Sequence, residues 1–107
     1  MKTISTKIKL KPNSIGKVWQ WSKELNARKE EVLETLRNET VVFEAAFLDE
    51  ISETEAYLIY VMQIEDLAQC QKAVKESVLP IDVYHQKFKK ETWDGGKKLE
   101  TLIAFNV

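Results

Sequence analysis

Hydropathy along this chain switches between a period of two and a period near 3.6, and the order of those switches restricts the fold more than any other feature. From Lys2 to Lys11 the period is two, with Ile4, Thr6, Ile8 and Leu10 on one face and Thr3, Ser5, Lys7, Lys9 and Lys11 on the other. That is the pattern of a half-buried strand. Pro12-Asn13-Ser14 then breaks the strand and offers an N-cap. Ile15, Val18, Trp19, Ser22, Leu25, Lys29, Val32, Leu33 and Leu36 recur at helical spacing, which predicts one long helix ending near Glu39. Thr40 to Leu48 and Ala56 to Ile64 are rich in Val, Ile, Phe and Tyr and read as two strands, joined by a polar, acidic hairpin link from Asp49 to Glu55.

Asp66, with Gln69 three residues on, forms a capping box for a helix whose apolar stripe is Leu67, Cys70, Val74 and Val78. Pro80 interrupts that helix. Ile81, Tyr84, His85, Phe88 and Thr92 restart a helical pattern that Asp94-Gly95-Gly96 is expected to close as a C-cap. Leu99, Thr101, Ile103, Phe105 and Val107 alternate with Glu100, Leu102, Ala104 and Asn106, predicting a last strand. The order is β-α-β-β-α-(α)-β, the ferredoxin-like α+β arrangement. Right-handed crossovers place the helices on one face of a four-stranded antiparallel sheet. At 107 residues and 44% hydrophobic composition, residues 1–107 are expected to form a single domain around one core.

Such a sheet leaves one face bare, and the middle strands are apolar on both sides. Val41, Phe43, Ala45 and Phe47 oppose Val42, Ala46 and Leu48, while Tyr57, Ile59 and Val61 oppose Leu58, Tyr60, Met62 and Ile64. Four strands present a face of roughly 600 Å², near the upper limit of exposed patches on monomers. Two copies packed face to face would each bury on the order of 800 Å², so a homodimer through the open sheet face, a dimeric α/β barrel, is expected. Lys7 and Lys9 lie in that layer. They are expected to pair with Glu44 and Glu100 across the strands, or else to line a small cavity for an acidic metabolite.

Charge and cysteine content close off several functions. The net charge is −1 and the pI about 5.9, which lacks the broad positive potential that nucleic-acid binding requires. No Lys or Arg occurs between Asn38 and Gln71, so the middle third is purely acidic. Cys70 is the only cysteine; no internal disulfide or thiolate metal cluster can form. The N-terminus lacks the apolar run of a signal peptide, and no stretch approaches a membrane span. A cytoplasmic protein without membrane or nucleic-acid partners is expected.

Chemistry is easiest to place between Asp82 and Trp93. His85 is the one side chain whose ordinary pKa lies near neutrality, three residues after Asp82 and four before Lys89. Asp82 could orient the imidazole while His85 acts as a general base or a metal ligand, with Tyr60, Tyr84 and Trp93 bounding an aromatic ligand pocket and Lys9 contributing charge. The bland reading makes Asp82 a helix cap and His85 a flank residue against the core. Trp19, Trp21 and Trp93 fit core or interface better than a stacking platform, and Cys70 fits an inert buried thiol. No glycine-rich phosphate loop, nucleophile elbow or catalytic-triad signature is present, and neither a metal nor a cofactor is expected.

The run Lys7-Ile8-Lys9-Leu10-Lys11-Pro12, the helix with Trp21 and Leu25-Asn26, the segment Leu58 to Tyr60, and Pro80-Ile81-Asp82 with Tyr84-His85 and Phe88 resemble uncharacterised bacterial proteins grouped as a domain of unknown function. That group is similar to the dimeric α/β barrel superfold, which includes antibiotic-biosynthesis and haem-degrading monooxygenases. The resemblance implies the fold and dimer but no reaction. The haem-degrading branch uses an Asn, a Trp and a haem-ligating His, and here His85 and Trp93 have no asparagine in the first strand beside them. The leading expectation is a homodimer that binds a small anionic or aromatic metabolite between sheet and helices. The alternatives are a cofactor-free monooxygenase- or isomerase-like enzyme using His85, and a structural or regulatory interaction protein.

Overall fold

A computed structural model describes residues 1–107. Its elements are β1 (Lys2–Leu10), α1 (Ile15–Ala27), α2 (Lys29–Asn38), β2 (Val41–Glu50), β3 (Ala56–Ile64), α3 (Leu67–Glu76), α4 (Pro80–Thr92) and β4 (Trp93–Leu99). The strands form one four-stranded sheet in the order β2-β3-β1-β4, antiparallel at every junction. This α+β architecture is compatible with the ferredoxin-like fold.

The helix-facing side of the sheet is the one the first strand's alternation indicates. Ile8 and Leu10 of β1 and Ala56, Leu58 and Tyr60 of β3 pack with Val18 and Trp21 of α1 and Phe88 of α4. A smaller cluster joins Val41, Ile64 and Cys70, flanked by Ile4, Leu36 and Leu67. Every helix therefore contributes to the same side. The opposite side keeps Phe43 at 50% and Phe47 at 56% exposure.

Three local details differ from the sequence reading. The long helix breaks at Arg28 (φ −108°, ψ 37°) into α1 and α2. The apolar stripe lapses there: after Leu25 the next inward positions are Arg28 and Lys29, with nothing to bury. Arg28 instead makes a two-pronged bond to Glu31, both distances 2.8 Å. The second difference is a bulge in β2 between Val41 and Phe43, where Val41 pairs with Ile64 and Phe43 with Gln63. The extra residue, Val42, inverts the alternation beyond it. Phe43 and Phe47 turn away from the helices, and Glu44, Ala46 and Leu48 turn toward them.

The third difference concerns the C-terminus. Asp94-Gly95-Gly96 lies within β4 and does not cap a helix. Two residues, Asp94 and Gly95, oppose the single Lys9 between the pairs Leu10↔Trp93 and Ile8↔Gly96, and Gly95 takes the left-handed φ of +84° that such a bulge requires. Strand pairing ends at Ser5↔Leu99, and residues 101–107 form no strand. They cross the end of the bare face, with Thr101 donating to the Thr3 carbonyl at 3.4 Å and Gln63 to Asn106 at 3.0 Å. The Asp66 cap is as expected: its carboxylate accepts from the Gln69 backbone N–H at 3.0 Å.

Candidate functional site

Between the helix-facing side of the sheet and the helices lies a cavity of about 740 Å³. That volume falls in the range of small-molecule sites. Its two ends differ in chemistry. One is aromatic, built from Trp21, Tyr60, His85 and Trp93; the other is acidic, built from Glu39, Glu44 and Asp82.

The aromatic end is ordered by stacking. Trp21 lies flat against Phe88, ring centres 4.6 Å apart and 5° from parallel, and stacks more loosely on His85 at 5.9 Å. Trp93 meets Tyr60 edge-on at 5.7 Å and His85 at 6.2 Å. The Trp21 indole N–H donates to Nδ1 of His85 at 3.1 Å. A nitrogen that accepts a hydrogen bond carries no proton, so the neutral imidazole holds its hydrogen on Nε2. Burial, with Lys89 close by, pushes the His85 pKa down to about 4, and the ring is neutral at pH 7. It is a hydrogen-bond donor at Nε2, which leaves neither nitrogen free to act as a base. Asp82 does not orient it; Trp21 does.

Two further donors at this end have no partner. The Tyr60 hydroxyl and the Trp93 indole N–H are buried and unbonded. Unpaired buried polar groups cost roughly 1–3 kcal/mol each, and native interiors rarely leave them so unless something else supplies the partner. Burial, and secondarily Glu44, raises the Tyr60 pKa, so the phenol keeps its proton and remains a donor.

The acidic end is held by hydroxyls. Thr35 Oγ1 stands 3.0 Å from Glu39 and 2.6 Å from Asp82, and Ser77 also donates to Asp82. Thr35 has one hydrogen to share between two carboxyls. Burial raises the Glu39 pKa, the hydrogen bond from Thr35 opposes the rise, and Asp82 adds to it. Glu44 enters the cavity because of the β2 bulge. Its side chain is exposed and lines the cavity. Desolvation by the walls, with Glu39 and Asp82 adding repulsion, pushes its pKa up to about 7. The ion pairs of the molecule, Lys17 with Glu91 and Arg28 with Glu24 and Glu31, involve none of these three acids.

Of the residues singled out in the sequence, His85, Asp82, Tyr60 and Trp93 converge on the cavity. Tyr84 and Lys9 do not line it. Tyr84 packs beside the core with the Arg28 guanidinium 5.8 Å from its ring. Lys9 projects from the bare face, in register with Tyr57. The expected pairing of Lys7 and Lys9 with Glu44 is also absent, because the bulge sends Glu44 to the other side; Lys7 sits over the Tyr57 ring at 4.3 Å. The sequence reading placed Glu44 in a cross-strand ion pair and Trp21 in core or interface, and neither was expected on the cavity. The signal for Glu44 was its standing as the lone charge in the apolar run Val41 to Leu48.

A four-stranded antiparallel sheet carrying four helices on one side, with a partly open bipolar cavity between the layers, defines an α+β domain with a pocket. The chain belongs to a family of unknown function (DUF6176), whose profile matches residues 1–106. No curated protein and no solved structure matches it. No helix is long and apolar enough to cross a membrane, and no three His, Cys, Asp or Glu side chains converge closely enough to hold a metal ion.

Proposed function

We propose that this protein is a homodimeric small-molecule-binding domain whose ligand occupies the cavity between sheet and helices. The observation that carries the reading is the unpaired Tyr60 hydroxyl, 7% exposed, on the cavity wall beside the unpaired Trp93 N–H. A ligand acceptor at either would supply the missing partner. Thermal-shift screening of a metabolite panel, followed by titration of hits against Tyr60→Phe, tests it. A hit whose affinity falls about tenfold in the variant, the loss of about 1.4 kcal/mol, supports the site; unchanged affinity removes it. The dimer rests on the bare sheet face, where Phe43 and Phe47 stay half exposed and basic Lys7 and Lys9 of one copy could meet the acidic β2–β3 link of the other.

A second reading is an isomerase- or monooxygenase-like enzyme without a cofactor. The Nε2 hydrogen of a neutral His85 favours it, since with Tyr60 it could stabilise an oxyanion developing on a bound substrate. In that role His85 is an electrophile. Turnover that survives His85→Ala would exclude the histidine from the chemistry.

A further inference from the structure

We infer that the ligand of this cavity is an organic cation: a small amine whose ammonium lies among Glu44, Glu39 and Asp82, and whose far end accepts a hydrogen bond from Tyr60. The inference rests on the cavity being the binding site and adds the charge of what enters it.

Three carboxyls line one cavity and none of them is in an ion pair, although Lys87, Lys89 and Lys90 line it as well. Acidic side chains crowded in this way are ordinarily paired or coordinate a cation. Their hydroxyl contacts order two of them but neutralise nothing, and Glu44 has no hydrogen-bond partner of its own. The independent sign of a ligand is Tyr60, a residue of the same lining that is 7% exposed and whose hydroxyl is buried and unbonded. The two features share a side of the sheet: Glu44 pairs with Met62 and Ala46 with Tyr60, which sets Glu44 one diagonal step from the tyrosine.

The form of the cation follows from the walls. The acids do not converge on a metal-sized point, and 13 of the 26 lining residues are hydrophobic, which suits a carbon skeleton. Trp21, Tyr60 and Trp93 add apolar area for that skeleton. A small anion fits poorly against the carboxyls. Lys89, at the aromatic end with its Nζ 4.6 Å from the Trp93 ring, repels an ammonium there and orients the amine toward the acids. The bulge at Val42 is thus a specificity device, since without it Glu44 would face the open side of the sheet.

The test uses three probes that share a phenol and differ in charge: tyramine, neutral 4-ethylphenol and anionic 4-hydroxyphenylacetate, titrated calorimetrically at pH 8. Tyramine is expected to bind at least tenfold tighter than 4-ethylphenol, and the acid more weakly than either. Glu44→Gln should erase most of tyramine's advantage while leaving 4-ethylphenol within twofold. A measurement on the unaltered protein guards against misfolding of that variant. From pH 8 to 5.5 tyramine should weaken several-fold and 4-ethylphenol should not, as Glu44 is protonated among Glu39, Asp82, Tyr60 and Cys70, with His85 neutral throughout. Equal binding of tyramine and 4-ethylphenol, or preference for the acid, overturns the charge assignment and leaves the cavity reading standing. Binding of none of the three overturns both.

Discussion

His85 and Glu44 are titratable groups on one cavity whose surroundings push them in opposite directions, and their effects on stability oppose each other. His85 falls from 6.5 to about 4 on folding. Its neutral form is the one the fold accommodates, so its contribution is complete above pH 6.5 and is lost as pH falls toward 4; the shift corresponds to at most about 3 kcal/mol. Glu44 rises from 4.5 to about 7. Its contribution is complete below pH 4.5 and is lost as pH rises to 7. The two slopes partly cancel in the interval between, where Glu39 acts in the same sense as Glu44. Chemical denaturation at pH 4.5 and pH 7 should therefore show Glu44→Gln gaining stability with rising pH relative to the unaltered protein, and His85→Gln losing it. Parallel profiles for all three proteins would contradict these assignments. The Trp21 bond to Nδ1 makes a separate prediction. Trp21→Phe should cost on the order of 1 kcal/mol and, by nitrogen NMR of the imidazole, should mix the two tautomers where the parent shows the Nε2–H form alone.

Among the elements, β4 is the one whose sequence misleads most. Its glycines resemble a helix cap, but Gly95 serves the bulge and Gly96 the close approach of β4 to β1. A Cβ on Gly96 would stand 2.6 Å from the tip of Ile8 and 3.1 Å from the Lys7 carbonyl. Ile8 is 5% exposed in the core, and the carbonyl is fixed by the sheet. Gly96→Ala is therefore expected to destabilise by roughly 1–3 kcal/mol, the usual cost of overpacking, measured as a lower denaturant midpoint at unchanged slope. At Gly95 a side chain would meet open space, and only the left-handed φ opposes it, so Gly95→Asn should be tolerated far better than Gly95→Val. At the start of α3, Asp66→Ala removes the cap on Gln69 and should cost about 1 kcal/mol.

At the scale of the whole molecule, the helices can shield one side of the sheet, and the other keeps half-exposed phenylalanines together with the loosely held residues 101–107. Leu102, Ile103 and Phe105 are 74–87% exposed, an unusual surface for a small chain to show to water. The proposed dimer predicts twice the chain mass in light scattering at micromolar concentration. Phe47→Asp should weaken association at least tenfold, about 1.4 kcal/mol, without disturbing the cavity on the far side. A monomeric parent protein would remove the dimer but not the pocket, because the two lie on opposite sides of the sheet.

Local pattern was enough to read β1, β2, β3 and the helical segments, the helix-facing residues of β1 and the Asp66 cap, because each depends on neighbours a few residues away, but it set the last strand at Leu99 to Val107, where the structure has none beyond Leu99. The partner of His85, the inward turn of Glu44 and the role of the paired glycines were not legible, since each is decided by register between strands or by packing between residues more than forty positions apart. One extra residue in β2 reverses every side chain beyond it, and local hydropathy is nearly the same for either register when both sides of the strand are apolar. The chain's own pattern thus determined which layers form, and only their assembly decided which charges the layers enclose.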